Sequence, residues 1–233
     1  LNEIPTGIFY NKKLRTFYIG YNNLSSVPKD IGNLKYLTEL DLSGLGLKKI
    51  PEEIKKLKHL AYLSLEDNDI STITIDMENL RSLVLNSNRF DLFPDKIFLL
   101  NNLRRLFMNQ NNITEIPPKV NKLSKLEAFY ISYNNISELP DELFDLEELR
   151  VLHLNGNKLQ KIPRATGRLK KLLLLGLNNN KLKNIPSTVF EINTLEVLYL
   201  SGNNLSYLSS DVSKLNNLTH LYLGNNEIET IPE

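Results

Sequence analysis

Cysteine and tryptophan are both missing from this chain of 233 residues. Without cysteine the chain can form no disulfide, bind no metal through a thiolate and use no thiol nucleophile. Long apolar runs are missing as well, because stretches such as 172–175 are far shorter than the roughly 20 residues of a transmembrane helix. We therefore expect no disulfide framework and no membrane insertion of this segment.

An excess of charge of either sign is also missing, since 28 Lys and Arg residues face 27 Asp and Glu residues and the formal net charge is +1. Proteins that bind nucleic acid usually carry a strong basic excess, so no nucleic-acid partner is expected. The motifs GxxxxGK[ST], GxSxG and HExxH do not occur. The sequence therefore predicts no enzyme, no cofactor and no metal site.

A 23-residue period is the dominant feature that is present. The segment LxxLxLxxN begins at ten leucines along the chain, and each unit continues as xLxxIPxxIxxLxx. The starting residues are Leu14, Leu37, Leu60, Leu80, Leu103, Leu126, Leu149, Leu172, Leu195 and Leu218. A repeat of this length cannot bury its apolar edge alone, so neighbouring units must stack into a solenoid with one continuous core.

Two further columns of residues recur in most units. Asn at repeat position 9 can satisfy backbone groups of the turn and of the next unit through its side-chain amide. Pro at position 15 fixes the backbone and donates no hydrogen bond. The asparagines are Asn22, Asn68, Asn88, Asn111, Asn134, Asn157, Asn180, Asn203 and Asn226. The prolines are Pro5, Pro28, Pro51, Pro94, Pro117, Pro140, Pro163, Pro186 and Pro232.

This consensus resembles the leucine-rich repeat family over essentially the whole chain. The resemblance implies an α/β solenoid, a right-handed leucine-rich repeat horseshoe with a concave parallel β-sheet and a convex side of extended, 3₁₀ or short helical turns. We expect residues 1–233 to form a single domain of about ten stacked repeats. Because the chain starts at repeat position 11 and stops at position 16, we also expect it to be cut in mid-repeat at both ends.

The repeat is irregular in two adjacent units. Leu45 takes the position where Asn is expected, between Gly44 and Gly46. The next unit, 60–79, is three residues short and has Thr74 at the proline position. These irregularities have two interpretations, a change of curvature or hinge and ordinary drift in a tolerant array.

The outward side of the strands is the candidate functional surface. Positions 3 and 5 of each unit are predicted to face solvent, because positions 4 and 6 supply the core and side chains alternate along a strand. Position 5 carries Tyr18, Asp41, Ser64, Val84, Phe107, Tyr130, His153, Gly176, Tyr199 and Tyr222. Aromatic side chains on an open sheet favour an interaction surface, although cross-strand aromatic pairs also stabilise sheets by themselves.

An acidic patch is predicted near the irregular units, where carboxylates on neighbouring strands favour a partner with a basic patch or, alternatively, a cation. Gly176 leaves a predicted gap in the position 5 column that could receive a partner side chain. The predicted partner-binding residues are Tyr18, Glu39, Asp41, Tyr62, Glu66, Asp67, Arg105, Phe107, Tyr130, Tyr133, His153, Leu174, Tyr199 and Tyr222.

The leading functional hypothesis is a non-enzymatic protein–protein recognition module or scaffold that binds a protein ligand on its concave aromatic and acidic surface. Two alternatives stay open, the sensing arm of a larger enzyme or GTPase-type switch and a surface adhesin that binds glycan. Similar repeats occur in bacterial secreted or surface proteins, including spirochaete families, and in intracellular Ras-binding scaffolds. The resemblance therefore leaves the localisation open.

Overall fold

The computed structural model describes residues 1–24, 26–74 and 76–230, so the predicted Pro232 lies outside the described residues. The chain divides into two compact units, 1–111 and 112–233. Each unit is described by itself, and the single-domain organisation stays a prediction.

The first unit contains five short parallel strands in chain order. Their register places each repeat position beside the same position of the next repeat, as in Thr16 opposite Glu39 and Tyr62 opposite Ser82. The strands are β1 (Thr16–Tyr18), β2 (Glu39–Asp41), β3 (Tyr62–Ser64), β4 (Ser82–Val84) and β5 (Arg105–Phe107). The 23-residue period therefore fixes the register of this sheet.

The second unit repeats this arrangement with five more strands. Val151 lies opposite Leu174 and His153 opposite Gly176, again position for position. The strands are β6 (Ala128–Tyr130), β7 (Val151–His153), β8 (Leu174–Gly176), β9 (Val197–Tyr199) and β10 (His220–Tyr222). Both units therefore have the predicted solenoid architecture with one parallel strand per repeat.

Each strand ends shortly before a residue with left-handed backbone at repeat position 8. All ten residues at this position have φ between 51° and 69°, a region that turns the chain out of the extended conformation. They are Tyr21, Gly44, Asp67, Ser87, Gln110, Tyr133, Gly156, Asn179, Gly202 and Asn225. Their side chains have little in common, so the requirement for positive φ at this position cannot be recognised from the consensus.

The asparagine that follows ties each repeat to the one before it. Asn157 is 6% exposed, and its Nδ2 donates to the carbonyl oxygens of Ile131 and Leu154 at 3.0 and 3.1 Å. Its Oδ1 accepts the backbone N–H of Ile136 at 3.0 Å. The predicted asparagine ladder is therefore a set of buried inter-repeat hydrogen bonds.

At Leu45, where the asparagine ladder is interrupted, the asparagine of the next repeat forms an additional hydrogen bond. The next asparagine, Asn68, accepts two backbone N–H groups through its Oδ1, from Leu45 at 3.1 Å and from Leu47 at 2.9 Å. Leu45 itself is half-buried. The loss of one amide is therefore partly compensated by the neighbouring repeat.

The side of each unit opposite the strands consists of 3₁₀ turns of five residues. The first unit has Thr6–Tyr10, Lys29–Asn33, Glu52–Lys56 and Asp95–Leu99. The second unit has Pro118–Lys122, Asp141–Asp145, Arg164–Arg168, Ser187–Glu191 and Ser210–Lys214. A proline precedes eight of these nine turns, and Ser209 precedes the ninth. The prediction of short turns on this side is confirmed.

The short repeat differs from the others on this side. Its described residues between β3 and β4, 65–74 and 76–81, contain no 3₁₀ turn. Thr74 stands where most repeats have proline. The turn that leads into the next strand is kept, since the N–H of Leu80 donates to the carbonyl of Met77 at 3.2 Å, as the equivalent residues do in other repeats. The three missing residues are therefore removed from the 3₁₀ turn and not from the strand.

The core of each unit lies between the strands and the 3₁₀ turns. The middle residue of nearly every strand is almost fully buried, as are Leu40, Leu63 and Leu152 at 0% exposure. Phenylalanines fill the larger spaces, including Phe9 and Phe90 in the first unit and Phe129, Phe144 and Phe190 in the second. Burial of this apolar column is the main stabilising term, at about 25 cal/mol per Å².

Candidate partner-binding faces

The outer residues of each strand form an accessible face on each unit. We call the outward side of β1–β5, with the turn residues that follow, the first face, and the corresponding side of β6–β10 the second face. Every predicted partner-binding residue is exposed or half-buried. The first face carries Tyr18, Glu39, Asp41, Tyr62, Glu66, Asp67, Arg105 and Phe107. The second face carries Tyr130, Tyr133, His153, Leu174, Tyr199 and Tyr222.

The prediction that all outer strand positions face solvent is wrong at four residues. Ser64 is 3% exposed, Ser82 2% and Val84 7%, and Gly176 is also buried. Two of them lie between strands with longer side chains, since Ser82 lies opposite Tyr62 and Arg105, and Gly176 lies opposite His153 and Tyr199. The accessible surface is therefore formed by the larger side chains.

Tyrosine and carboxylate side chains meet on the first three strands of the first face. The Tyr18 hydroxyl donates to Glu39 Oε2 at 2.5 Å, and the Tyr18 and Tyr62 ring centroids are 6.4 Å apart with the planes tilted by 55°. The hydrogen bond to Glu39, followed by partial desolvation and nearby negative charge, raises the pKa of Tyr18 to about 12. Tyr18 therefore remains a protonated donor at all physiological pH values.

The carboxylates of the first face are held by hydrogen bonds and not by ion pairs. Asp41 Oδ1 accepts from the backbone N–H of Ser43 at 2.8 Å and from its hydroxyl at 2.5 Å. Glu66 Oε1 accepts from Asn86 Nδ2 at 3.3 Å. Within the part of the chain that the structure describes, Glu39, Asp41, Glu66 and Asp67 form no salt bridge.

Arg105 and Phe107 lie on β5, at the far side of the first face. Arg105 shares the first strand position with Glu39 but is three strands away, which places it about 14 Å from Glu39 at the usual strand spacing. Arg105 therefore does not neutralise the acidic strand. The first face has an acidic side and a basic side.

Tyr21 is a candidate residue that the sequence prediction left out of the binding site. It has φ of 55°, is 66% exposed and lies against Gly44 of the next repeat, where an added Cβ would overlap its ring. Partial desolvation and the charges of Asp67 and Glu66 raise the pKa of Tyr21. Its signal in the sequence is the glycine at the same position of the following repeat, a pairing that recurs as Tyr133 and Gly156.

The second face is an aromatic column. The rings of Tyr130 and His153 stack at 4.9 Å with an angle of 16°, and those of Tyr199 and Tyr222 stack at 4.6 Å with an angle of 15°. His153 also contacts Tyr199 at 6.2 Å, across the intervening strand. The column holds the rings in defined orientations, so little side-chain entropy remains to be lost on binding.

The predicted gap at Gly176 is filled within the chain. A Cβ at Gly176 would lie 2.6 Å from His153 Nδ1 and 3.0 Å from the side-chain amide of Asn155. The His153 ring occupies the space that a side chain on β8 would need, which is how it reaches toward Tyr199. Gly176 therefore serves the aromatic column and offers no pocket.

His153 is half-buried in this column, and the burial lowers its pKa. Its Nδ1 lies 3.0 Å from Asn155 Nδ2. Since an amide nitrogen donates, Nδ1 accepts in this contact and the imidazole carries its proton on Nε2. The neutral ring is therefore the favoured form on the second face.

A second hydrogen-bonded ladder, which the sequence prediction missed, runs along the edge of the second face. Asn155 Oδ1 accepts the backbone N–H of Asn178, and Asn178 Oδ1 accepts that of Ser201, both at 2.8 Å. Ser132 Oγ accepts the N–H of Asn155 at 3.1 Å. The signal was the run of Ser and Asn at repeat position 7, and its effect is to fix the edge of the aromatic column.

The described residues contain no group of three or more His, Asp or Glu side chains placed to hold a metal ion. Within the same part of the chain there is also no helix of the length and apolarity that a bilayer crossing requires. Both faces are open sheet surfaces whose groups suit contacts with a large ligand through aromatic and charged side chains.

Stacked 23-residue repeats with one parallel strand, a buried asparagine ladder and 3₁₀ turns define a class of solenoid proteins with accessible strand faces. Sequence models described as leucine rich repeat match residues 13–34, 78–135 and 124–182, and a two-copy model matches 193–233. These matches cover more than half of the chain. The chain belongs to the leucine-rich repeat family.

Solved structures agree with this assignment. A leucine-rich repeat protein of Leptospira interrogans is 29% identical, with a TM-score of 0.86 over 100% of this chain. An internalin of Listeria monocytogenes, at 24% identity and a TM-score of 0.85 over 97% of this chain, shares the fold. The plant peptide hormone receptor RGFR1, solved in complex with RGF2, is 28% identical, with a TM-score of 0.78 over 96% of this chain.

The chain spans 66% of each of the two bacterial structures and 42% of the plant receptor. A comparison with curated proteins finds no match. Leucine-rich repeat domains are typically protein-interaction modules without catalytic activity, so the family narrows the class of function and leaves the ligand open.

Proposed function

We propose that this chain is a non-enzymatic recognition module that binds a protein or peptide ligand on its strand faces. The observation that carries the proposal is the aromatic column of the second face, in which Tyr130, His153, Tyr199 and Tyr222 are stacked or in contact and all remain accessible. Aromatic anchors of this kind dominate the energetics of protein interfaces. The plant receptor RGFR1, whose structure is a complex with RGF2, supports a peptide-like ligand.

The column has the properties of an interface centre. Its rings are large, are held by their neighbours and lie on a rigid sheet, so binding orders few additional torsions. An interface of standard size buries about 800 Å² on each partner, and aromatic anchors at its centre carry much of the binding energy. Stacking alone would also stabilise the sheet, and only a binding measurement separates the two roles.

The test is a comparison of two tyrosine pairs. Tyr130→Ala with Tyr199→Ala removes rings from the second face, and Tyr207→Ala with Tyr36→Ala removes exposed rings that lie outside the strands. Ligands captured by the parent chain are identified, and their dissociation constants are measured for each variant of matched circular dichroism.

Loss of one hot-spot ring costs about 2 kcal/mol, which is about thirtyfold in Kd. We expect the strand-face pair to weaken binding by at least that factor and the control pair to leave it unchanged. Equal affinity of parent and strand-face variant for every captured ligand would refute the proposal.

A further inference from the structure

The first face combines two aromatic rings with two carboxylates on three adjacent strands. Tyr18 lies opposite Asp41 in the register of β1 and β2, and Tyr62 lies opposite Glu39 in that of β2 and β3. The ring centroids are 6.4 Å apart although their strands are not neighbours, so the tyrosines lean toward each other across β2. Rings and acids therefore share one small area of the surface.

Glu39 and Asp41 each have one carboxylate oxygen available to a ligand. Glu39 accepts the Tyr18 hydroxyl on Oε2, and Asp41 accepts Ser43 on Oδ1. Within the described residues, Glu39 Oε1 and Asp41 Oδ2 accept no hydrogen bond. Both residues are half-buried, so their charges are less screened than those of fully exposed groups.

Elsewhere in the chain, acidic residues form salt bridges with basic residues of the adjacent repeat. Asp145 contacts Arg168 at 2.8 Å, and Glu148 contacts Lys171 at 2.6 Å, each pair linking equivalent positions of adjacent repeats. On the first face, none of Glu39, Asp41, Glu66 and Asp67 has such a basic partner among the residues that the structure describes. A sheet that had only to be stable would not concentrate like charges on neighbouring strands.

The chemistry of the area selects a cationic side chain. Tyrosine faces attract a cation through their quadrupole, and carboxylates accept its hydrogen bonds. A guanidinium group satisfies both at once, because it is planar, stacks on a ring and donates two parallel hydrogen bonds. Tyr18 is 57% exposed, and Tyr21, which is 66% exposed, adds a further accessible ring beside Asp67.

We infer that the first face binds an arginine side chain of a peptide ligand, held against the rings of Tyr18 and Tyr62 by the carboxylates of Glu39 and Asp41. This inference rests on the proposed function, since it specifies the ligand of one of the two strand faces. The inference specifies a cationic group on the ligand. The aromatic column of the second face does not indicate the charge of its ligand.

The first experiment uses two capped peptides that differ only in charge. Gly-Arg-Gly-Arg-Gly is titrated against the whole chain with ¹³C-labelled tyrosine rings, and the same peptide with citrulline in place of arginine is the neutral isostere. We expect saturable shifts of the Tyr18 and Tyr62 ring signals with the arginine peptide and none with the citrulline peptide. Equal shifts with both peptides would overturn the inference.

The second experiment tests the carboxylates at constant shape. Glu39→Gln combined with Asp41→Asn should weaken the arginine peptide by about tenfold, because two charge-assisted hydrogen bonds become neutral ones. The matched control is Glu52→Gln with Glu53→Gln, which removes two charges from a 3₁₀ turn of the same unit. Unchanged affinity in the first variant, or an equal loss in the control, contradicts a specific site.

Tyr18→Phe separates ring from hydroxyl. It keeps the ring and releases Glu39 Oε2 from its hydrogen bond, so arginine binding should persist, whereas Tyr18→Ala should abolish the ring contribution. Loss of binding in both variants, with unchanged circular dichroism, would show that binding requires the Tyr18 hydroxyl. That result would overturn the arrangement given above.

The failure of this inference can be distinguished from that of the proposed function. If captured protein ligands depend on Tyr130 and Tyr199 but the arginine peptide does not bind, the recognition module stands and the arginine site is refuted. If calcium chloride shifts the Tyr18 and Tyr62 signals and chelator reverses the effect, the site belongs to a metal ion and the inference is refuted as well.

Discussion

At the scale of single residues, the left-handed position after each strand is the most restrictive feature of the repeat. A side chain other than glycine costs on the order of 1 kcal/mol in this region, yet Tyr21 and Tyr133 occupy it. Each is followed in the next repeat by a glycine that leaves room for its ring. Two exposed tyrosines thus adopt this unfavourable backbone conformation, which is consistent with a role in ligand contact.

Gly44→Ala and Gly46→Ala provide a matched pair that isolates the contact with the tyrosine ring. Both glycines have φ near 62°, but an added Cβ meets the Tyr21 ring only at Gly44 and nothing within 4 Å at Gly46. We expect about 1 kcal/mol of destabilisation for Gly46→Ala and at least 1 kcal/mol more for Gly44→Ala. Urea unfolding measures the free energy of unfolding of both variants, and the difference between them should vanish in a Tyr21→Ala background. A difference that persists there would show that it comes from the backbone at Gly44 and not from the Tyr21 ring.

At the scale of elements, the residue before each 3₁₀ turn acts as its N-terminal cap. Pro51 has φ of −59° and its carbonyl accepts the N–H of Ile54 at 3.2 Å, and the other prolines have similar angles. Proline lowers the entropy of the unfolded chain at a position whose φ it already matches. Where it is replaced by Ser209, the carbonyl still accepts the N–H of Val212 at 3.1 Å, and the hydroxyl also accepts the N–H of Asp211 at 3.2 Å.

Ser209→Ala and Ser209→Pro should therefore differ in effect. Alanine removes the side-chain cap and should cost about 1 kcal/mol. Proline also removes it, but Ser209 already has φ of −65°, so the reduced entropy of the unfolded chain should offset most of the loss. Thermal or urea unfolding of the two variants checks this; a proline variant less stable than the alanine variant would show that the ninth turn is not equivalent to the others.

At the scale of the whole molecule, the pH dependence of stability near neutrality involves His153, one of three histidines in the chain. Burial lowers the pKa of His153, so the unfolded chain takes up a proton at a higher pH than the folded chain does. Stability contributed by the neutral ring is therefore complete above the unfolded pKa of about 6.5. It is lost as the pH falls from there toward the folded pKa, and this group causes no further change below that value.

We expect the unfolding midpoint of the parent chain to fall more between about pH 7.5 and 5 than that of His153→Gln. His220→Gln is the control, because His220 is exposed at the end of the aromatic column. The fall caused by His153 should persist in this variant. An identical pH dependence in parent and His153→Gln would mean that protonation of His153 does not oppose folding.

Much of the fold could be predicted from spacing alone, whereas the accessible surface could not. The leucines at 0% exposure, the buried asparagines and the turns after proline follow from position in the repeat. Ser64 and Val84 occupy the same repeat position as Tyr18 and Tyr222, yet they are buried and the tyrosines are exposed. Exposure on a strand face depends on the side chains of the adjacent strands, which a single repeat does not specify.

The sequence by itself determined the repeat, the register of the strands and the core, because a period of 23 residues brings like positions together and each unit must bury its apolar edge against the next. Only the tertiary structure decided that the His153 ring fills the space above Gly176 and that Tyr18 and Tyr62 converge across the acidic strand. The physical reason is that the repeat period fixes the backbone position of each residue, whereas the direction of its side chain depends on the volumes and hydrogen bonds of its neighbours on adjacent strands.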